Sequence, residues 1–479
     1  MSFASSPPSP GVPAAAPQPA ASPSAPVTLP PEIVVKARDQ RGPGSAVAII
    51  NTGGTISMTA DASGALAPRA GYLAQRLLEM PELRRPETPA VSLFELLPLV
   101  DSSDLDAGDW RRIALTIEAL YHDFDAFVVI MGTDTMAYAA SALSFILEDL
   151  GKMVVLTGSM LPLSDLFSDA QRNLVVALVM AATLDVPEVC VFMDDQLLRG
   201  NRTVKTNSGG LDAFESPNWP PLAKLETGIR LRRGAALPQP KGRFRVHREM
   251  ETNIAVWRMV PGFDDEYIRM AIEHSTGLRA IVLELYGTGN LSSRKQSMLD
   301  ALAGAIRKGI VIVATSQCLR GHVDLRAYAL GRKLEAIGVV SGLDMTTEAV
   351  ATKLAYLLSW PGATPARVAE HMRRSLRGEL TEDGAHDRML GLNEGNGRGG
   401  ARGDDVFITM ASISRAARAN RSGEMLGDAG SALASAPASS QSPVTAPAPP
   451  APVPAAPALA NPLPVGHLLE TLEARRSAI

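Results

Sequence analysis

Three separate segments carry hydroxyl, carboxylate and amine side chains that could act together on a carbonyl group. Thr55 closes a Gly-rich stretch after a short apolar run, Thr133 and Asp134 follow another such run, and Lys205 ends a polar stretch further along. A threonine hydroxyl becomes a nucleophile when a neighbouring base takes its proton, and a lysine among desolvating neighbours can act as a base. Each segment alone also has a simpler interpretation: a tight turn at Thr55, a helix N-cap at Asp134 and a surface charge at Lys205.

Several common catalytic motifs are missing from the sequence. None of the seven histidines falls in these segments or has the spacing of metal ligands, and there is no Gly-x-Ser-x-Gly elbow. The Gly-rich stretch lacks Gly-x-Gly-x-x-Gly and Gly-Lys-Ser/Thr, so it gives little support for nucleotide binding. An enzyme of this sequence that acts on a carbonyl must therefore use Thr or Ser activated by a residue other than His. Thr with Lys and Asp is the combination available.

The elements that must position these residues are predicted from alternating apolar runs and helical patterns between residues 44 and 382. The runs expected to form strands are Ala46–Ile50, Ala126–Met131, Met153–Leu156, Glu188–Met193, Ala280–Leu285 and Ile310–Ala314. Helical periodicity covers Asp134–Leu150 (with Gly151 as C-cap), Asp169–Thr183 and Arg294–Lys308. Continuous apolar strands indicate a doubly wound, mostly parallel α/β sheet, which binds ligands outside the carboxyl ends of its strands.

Composition predicts two domains between two proline-rich ends. Ten of the 36 prolines lie in Met1–Pro31 and ten in Ser431–Pro464, and neither stretch has a charged side chain. Such segments have too little apolar bulk to fold. We predict a disordered tail at 1–43, a larger N-terminal domain at 44–230 and a connection at 231–253, which overlaps the Gly-, Pro- and Arg-rich Lys224–Arg248. A smaller C-terminal α/β domain is predicted at 254–382 and a low-complexity tail at 383–479. Short helices are expected within that tail at Val406–Asn420 and Val465–Ser477.

Charge and cysteine content exclude several classes of partner. The net charge of −4, without a basic stripe, gives no attraction for nucleic acid or anionic lipid. Cys190 and Cys318 are the only cysteines, which rules out a disulfide framework and fits a reducing compartment. The N-terminus has neither a secretory nor a transit pattern, and no apolar run reaches membrane-spanning length. We expect a cytoplasmic protein that binds neither nucleic acid nor membranes.

Taken together, the polar segments resemble the L-asparaginase family, in particular its bacterial cytoplasmic type I branch and related eukaryotic enzymes. The matching motifs, in the family's order and spacing, are Thr52-Gly53-Gly54-Thr55-Ile56, Asp101-Ser102-Ser103-Asp104, Gly132-Thr133-Asp134-Thr135-Met136-Ala137, Leu156-Thr157-Gly158-Ser159, Gly200-Asn201-Arg202-Thr203, Ser216-Pro217-Asn218, Tyr286-Gly287-Thr288-Gly289-Asn290 and Leu376-Arg377-Gly378-Glu379-Leu380-Thr381. The resemblance implies a large N-terminal and a smaller C-terminal α/β domain. It also implies an intimate homodimer, often paired into a tetramer, whose active sites borrow residues from the neighbouring subunit.

The resemblance further implies hydrolysis of the side-chain amide of L-asparagine to L-aspartate and ammonia, without metal or organic cofactor. Thr55 matches the primary nucleophile, and Thr133, Asp134 and Lys205 match a second, triad-like group. The positions that match substrate-binding residues are Gly54, Asp101, Ser102, Thr133, Asp134, Ser159 and Asn290. Backbone amides around Gly54 and Thr133 are candidate oxyanion donors.

Two departures from the family pattern bear on catalysis and regulation. The loop Asp61–Leu66 lacks the tyrosine that helps to activate the nucleophile; Tyr328 matches a later position that is thought to serve instead in some eukaryotic relatives, and its alternative role is ordinary packing. At a known effector site for asparagine, Cys318 matches the family's cysteine, but Glu284 replaces its arginine. Because this reverses a carboxylate-binding charge, we expect weak or absent cooperativity with asparagine.

Other functions remain open from the sequence. They are a glutaminase-leaning or lysophospholipase activity, the ammonia-releasing subunit of a tRNA amidotransferase, and an inactive scaffold whose Pro-rich tails bind partners. The amidotransferase role normally needs an extra N-terminal module, which Met1–Pro31 does not resemble. Retention of Thr55, Thr133, Asp134 and Lys205 together argues against an inactive scaffold.

Overall fold

A computed structural model of the protein describes residues 28–37, 45–60, 64–382 and 405–415. Within these ranges the strands are β1 (Ile33–Lys36), β2 (Ala46–Gly53), β3 (Met58–Ala60), β4 (Leu66–Pro68), β5 (Ala90–Val100), β6 (Ala126–Ile130), β7 (Leu147–Glu148), β8 (Val154–Thr157), β9 (Val189–Met193), β10 (Gln196–Arg199), β11 (Val204–Lys205), β12 (Phe214–Glu215), β13 (Ala223–Leu225), β14 (Ile229–Arg232), β15 (Arg245–Val246), β16 (Ile254–Arg258), β17 (Ala280–Leu285), β18 (Val311–Ser316), β19 (Val340–Ser341) and β20 (Asp405–Ile408). The α-helices in the same ranges are α1 (Tyr72–Glu79), α2 (Ala107–Leu120), α3 (Met136–Ile146), α4 (Ala170–Thr183), α5 (Glu266–His274), α6 (Gln296–Arg307), α7 (Ala329–Ile337), α8 (Thr347–Leu358) and α9 (Pro365–Met372). No helix in the described part of the chain is long and apolar enough to cross a membrane.

A ten-stranded sheet forms the first domain, in the order β1-β5-β2-β6-β8-β9-β10-β13-β14-β20. Strands β5, β2, β6, β8 and β9 run parallel, and the strands outside them are antiparallel to their neighbours. Every residue of β2, β6, β8 and β9 is buried, because α1 and α4 cover one face of the sheet while α2 and α3 cover the other. This confirms the predicted doubly wound, mostly parallel sheet and explains why its strands are continuously apolar.

The second domain contains a four-stranded parallel sheet in the order β16-β17-β18-β19. Helices α5, α6 and α7 pack on one face, and α8 and α9 cover the other. Helix α3 of the first domain also joins this second core, since Phe145 packs among its residues and Ser141 Oγ lies 2.8 Å from Thr352 Oγ1 of α8. The two domains therefore share a packed contact along α3.

The segment predicted as an inter-domain connection, Lys224–Arg248, instead supplies strands. β13 and β14 form a hairpin in the main sheet with Ile229 and Leu231 buried, and β15 pairs with β7. Helix α3 accordingly ends at Ile146, and Gly151 is not its C-cap. The half-buried alternation Ile-Arg-Leu-Arg of β14 is typical of a strand, but it is too short to stand out among glycines and prolines. The domain boundaries themselves stay a prediction.

The helix predicted over Val406–Asn420 is wrong at its start. Asp405–Ile408 form β20, which pairs antiparallel with β14 at the edge of the main sheet, and only residues 410–415 are helical in the described range. Ile408 is buried, and the Arg230 guanidinium lies 5.6 Å from the Phe407 ring. An edge strand offers unpaired backbone groups to any segment that reaches it, and local sequence does not reveal that partner. The other predicted tail helix, Val465–Ser477, lies outside the described residues.

Candidate active site

Four polar segments meet at the edge of the main sheet where its parallel strands end. Strand β2 lies between β5 and β6, with Gly53 opposite Val100 and Asn51 opposite Ile130. The segments that follow therefore start side by side, with Thr55 after β2, Asp101 and Ser102 after β5, Thr133 and Asp134 after β6, and Ser159 after β8. Ligands of open α/β sheets bind at this edge.

Glycines allow three of these segments to approach each other backbone to backbone. Gly53 has φ of +121°, and a Cβ atom there would lie 2.2 Å from the carbonyl oxygen of Val100. Gly54 has φ of +78°, and its Cβ would lie 2.1 Å from the amide nitrogen of Gly132. A Cβ on Gly132 would in turn lie 2.6 Å from Ser102 Oγ. Only glycine accommodates such contacts, so the Gly-rich turn holds the three strand ends together.

A buried network under the Gly-rich turn supports the position of Thr55. Asn51 Oδ1 accepts hydrogen bonds from Gly53 N at 3.1 Å and from Ser57 Oγ at 3.0 Å. Asn51 Nδ2 donates to Glu95 Oε1 of β5 at 3.2 Å. Thr55 begins a short 3₁₀ helix, Thr55–Ser57, between these anchors, and its side chain is partly exposed. No sequence pattern predicts this role for Asn51 or Glu95, because β5 is not among the predicted strands.

Lys205 contacts both members of the second predicted group. Lys205 Nζ lies 2.9 Å from Thr133 Oγ1 and 2.6 Å from Asp134 Oδ1. The Lys205 side chain is 15% exposed, whereas that of Asp134 is 68% exposed. Strand β11, which carries Lys205, pairs with β12 and brings the amine back to the end of β6. The structure thus brings Lys205 to two adjacent residues that precede it by more than 70 positions in sequence.

Ser159 has a buried hydroxyl with an unused hydrogen-bonding capacity. The residue is 1% exposed, and its Oγ has no hydrogen-bond partner in the described part of the chain. A buried orphan hydroxyl calls for an explanation, and a bound polar ligand is one. The sulfur atom of the next residue, Met160 Sδ, lies 3.6 Å from Thr133 Oγ1. The Ser159 hydroxyl therefore belongs to the same site as Thr133.

Asp101 and Ser102 start a second 3₁₀ turn at the end of β5. Asp101 Oδ1 accepts hydrogen bonds from the backbone N and the Oγ of Ser103, each at 2.9 Å. Ser102 is buried against Gly132, and its carbonyl oxygen accepts from Thr135 Oγ1 at 2.7 Å. The other carboxylate oxygen of Asp101 takes no part in this turn, so that oxygen can bind an ammonium group.

Tyr328 and Asn290, also predicted for the site, lie in the second domain. Tyr328 is 53% exposed directly before α7. Asn290 closes a turn with Tyr286, and its Oδ1 accepts from Leu291 N at 2.9 Å. None of the hydrogen bonds or ring contacts in the described ranges joins either residue to Thr55 or Lys205. Their roles stay predictions.

A buried charge network anchors the segment that carries Lys205. The Arg202 side chain is 1% exposed and donates to Gly378 O at 2.7 Å, to Asp344 Oδ2 at 2.7 Å and to Thr381 Oγ1 at 3.1 Å. The last motif of the sequence analysis thus packs against the Gly-Asn-Arg-Thr motif and ties the second domain to the Lys205 segment. Sequence reasoning found both motifs but assigned no role to Arg202 or Asp344.

Asp344→Asn is expected to lower the free energy of unfolding by about 3 kcal/mol, because it leaves the buried Arg202 charge uncompensated. Burial by itself raises the pKa of Asp344, but the charge of Arg202 and hydrogen bonds from Thr381 outweigh it and lower the pKa overall. In the wild type, ionised Asp344 therefore makes its full contribution to the free energy of unfolding above its unfolded-state pKa. This contribution is lost as pH falls through the lower folded-state pKa.

Urea unfolding of both proteins at neutral and acidic pH measures this difference. Glu226→Gln is the matched control, because its partner Arg230 is exposed and such pairs contribute little. Equal urea midpoints for wild type and Asp344→Asn at neutral pH would contradict the role given to this ion pair.

The arrangement supplies the parts of an amide-cleaving site. It combines a hydroxyl at Thr55, a lysine bonded to a second hydroxyl, carboxylates for a cationic substrate group, and backbone amides at Gly-rich turns. Among the described residues, no group of three or more His, Cys, Asp or Glu is arranged to hold a metal ion.

Comparison with known proteins identifies relatives for both domains. Family models described as "Asparaginase, N-terminal" and "Glutaminase/Asparaginase C-terminal domain" match residues 46–236 and 253–372. The chain is 46% identical over 334 residues to L-asparaginase 1 of Escherichia coli K12, covering 69% of this chain and 97% of that protein. It is 37% identical over 380 residues to the human 60 kDa lysophospholipase, covering 75% of this chain and 65% of that protein. The crystal structure of L-asparaginase I from Vibrio cholerae superposes with a TM-score of 0.66 at 40% identity, covering 71% of this chain and all of that one.

Proposed function

The chain belongs to the asparaginase family, and we propose on that basis that it hydrolyses the side-chain amide of L-asparagine to L-aspartate and ammonia, with Thr55 as the nucleophile. One observation carries the assignment of the site. Lys205 Nζ lies within hydrogen-bond distance of both Thr133 and Asp134, at the sheet edge where the Thr55 turn packs against Gly132. The recognition of the family from its motifs is confirmed by the relatives.

The reaction proceeds in two halves. The Thr55 hydroxyl attacks the amide carbon and forms a C–O bond, while its proton passes through neighbouring groups to the amide nitrogen, which leaves as ammonia. Water then cleaves the resulting ester, which releases L-aspartate and restores the hydroxyl. Backbone N–H groups near Gly54 and Thr133 stabilise the negative oxygen in both halves; loss of one such donor costs about 10²–10³ in rate in other enzymes.

The second group moves protons and selects the substrate. Thr133 takes up the proton that Thr55 releases and passes its own proton by way of Lys205, whose Nζ lies 2.9 Å from Thr133 Oγ1, to the departing nitrogen. Asp134 orients the amine of Lys205 and also accepts the substrate's ammonium group, which favours an amino acid over a simple amide. Asp101 and Ser102 hold the α-amino and α-carboxylate groups, and Ser159 offers its free hydroxyl to the same ligand.

Ammonia release from L-asparagine and L-glutamine by the purified full chain tests the proposal. We expect release from L-asparagine, with L-glutamine as the comparison that measures glutaminase activity. Release from L-glutamine alone would replace the proposal with a glutaminase. Release from neither amide would favour the scaffold reading and end the enzyme assignment.

We also propose a cytoplasmic homodimer, with pairing into a tetramer left to measurement. Two features support an additional subunit near the site. The first is the Asp134 side chain, which is 68% exposed although it pairs with Lys205. The second is the pair Leu166 and Phe167, shortly after Ser159, which are 89% and 81% exposed. Exposed apolar residues of this size commonly mark protein interfaces. In such a dimer, Tyr328 from the neighbouring subunit would replace the missing loop tyrosine.

Rates measured against L-asparagine concentration are expected to follow a hyperbola. Glu284 accepts from Thr347 Oγ1 at 2.8 Å and lies 3.3 Å from Arg258 Nη1, so its carboxylate is held where the family's effector site has an arginine. A carboxylate there repels the α-carboxylate of an effector. A clearly sigmoidal curve for the purified protein would overturn this prediction.

Removing Met1–Pro31 and Ser431–Ile479 together is expected to leave amidase activity nearly unchanged, since both segments lie outside the two matched domains. A deletion from Asp405 onward is the contrasting variant. It removes β20 and uncovers the edge of β14, so we expect a lower melting temperature. Loss of activity in the first truncation would show that the tails contribute to catalysis.

A further inference from the structure

A cavity lies away from the proposed active site, where the two domains and the segment between them meet. Its volume is about 500 Å³, within the range of small-molecule sites. The arginine cavity, as we name it, is lined by Arg245, Arg367 and Arg377, by Glu148 and by the rings of Tyr356 and Trp360. Helix α3 separates it from the active site: Asp134 precedes its first residue and Glu148 follows its last. Its 11 residues span about 17 Å at 1.5 Å per residue.

The charge of the arginine cavity is not balanced by its own residues. Its single carboxylate, Glu148, is already bound by the Tyr356 hydroxyl and by Arg245. Neither Arg367 nor Arg377 forms an ion pair with a carboxylate in the described part of the chain. Three arginines against one glutamate leave two positive charges facing the cavity. His247, which also lines the cavity, adds no positive charge near neutral pH, because burial lowers its pKa.

Arg377 is a second arginine that lines the cavity without a carboxylate partner in the described part of the chain. Its Nη1 donates to Leu376 O at 2.8 Å, but its Nε is shielded from solvent and has no acceptor among the described residues. Because this Nε is shielded from the cavity as well as from bulk solvent, a ligand would contact Arg377 through its other guanidinium N–H groups. A phosphate oxygen is a strong acceptor for a guanidinium group.

The remaining wall of the arginine cavity is aromatic. Tyr356 and Trp360 meet edge to face with ring centroids 5.4 Å apart, and the Arg367 guanidinium lies 5.2 Å from the Trp360 ring. This cation–π contact holds one positive charge beside an apolar surface. Such a wall suits a flat ring attached to the anion.

We propose that the arginine cavity binds a small organic anion in which a phosphate group is joined to an aromatic ring. The phosphate contacts Arg367 and Arg377, and the ring packs against Trp360, which Tyr356 supports from behind. The inference is independent of the amidase proposal, because none of these residues belongs to the proposed active site.

Isothermal titration calorimetry with AMP, inorganic phosphate and adenosine tests the proposal on the full chain. We expect one AMP per chain with a dissociation constant below about 1 mM. We expect binding at least about tenfold weaker for each separate half, because phosphate lacks the ring and adenosine lacks the charge. No binding of AMP would overturn the proposal, and so would equal affinity for AMP and either half.

Variants locate the binding. Arg367→Gln is expected to weaken AMP binding about tenfold while ammonia release stays at the wild-type rate, since this exposed arginine is remote from Thr55. Arg377→Gln provides a second test, because Arg377 also lines the cavity. Arg307→Gln, an exposed arginine at the end of α6, is the matched control and should bind AMP like wild type. Unchanged affinity in Arg367→Gln would overturn the assignment of AMP to this cavity.

Discussion

Thr55→Ala is expected to lower the rate of ammonia release from L-asparagine at least about a thousandfold, because no other group then attacks the amide carbon from the Gly-rich turn. The turn itself should persist, since it is held by Asn51, Gly53 and Ser57 rather than by the Thr55 side chain. The urea midpoint of the variant should therefore match that of wild type. A steady-state ammonia assay measures the loss.

The two threonines of the site make this experiment decisive about roles. Thr133→Ala measured beside Thr55→Ala separates the nucleophile from the hydroxyl that relays protons. Thr183→Ala, at the end of α4, is the matched control and should keep full activity. If Thr55→Ala keeps full activity, Thr55 is not the nucleophile and Thr133 takes its place.

Lys205→Ala is expected to reduce kcat by about 10²–10⁴, the range that general acid–base groups supply. The reason is geometric: Lys205 Nζ is 2.9 Å from Thr133 Oγ1, and its loss leaves that hydroxyl without a base. KM should change less than kcat, because the predicted substrate contacts come from Asp101, Ser102 and Asp134. The exposed lysine of β13, Lys224→Ala, is the matched control and should retain wild-type kinetics.

Lys205→Arg distinguishes a base from a fixed positive charge. Arginine keeps the charge beside Asp134 but does not deprotonate in proteins, so a proton-relay role predicts that this variant stays as slow as Lys205→Ala. Recovery of activity in Lys205→Arg would contradict the relay role and would assign Lys205 to electrostatic positioning alone.

The strands that are best predicted from sequence are those whose local pattern is enough to identify them. The apolar runs at Ala46–Ile50, Ala126–Met131 and Ala280–Leu285 are strands because a sheet covered on both faces requires continuous apolar residues. Strands are harder to predict where a polar residue needed for a tertiary contact interrupts the apolar run. Strand β5 contains Glu95 and Pro98, which break its apolar run, although Glu95 is there to bind Asn51.

Edge strands escape prediction for a different reason. β14 pairs locally with β13, but β20 joins it from nearly 180 residues further along the chain, and both segments are too short to have a strong pattern of their own. Their hydrogen bonds exist only once the main sheet presents an open edge.

Sequence by itself determined the family, the fold class and the identity of Thr55, Thr133, Asp134 and Lys205 as candidates, because these depend on motifs and on periodicity along the chain. Only the tertiary structure decided that Lys205 contacts Thr133 and Asp134, that Arg202 and Asp344 anchor the Lys205 segment, and that a cavity with unbalanced positive charge forms beyond the far end of α3. Those contacts join residues that are far apart in sequence. Distances and burial across the fold determine charge pairing and desolvation, and a linear order of residues does not contain them.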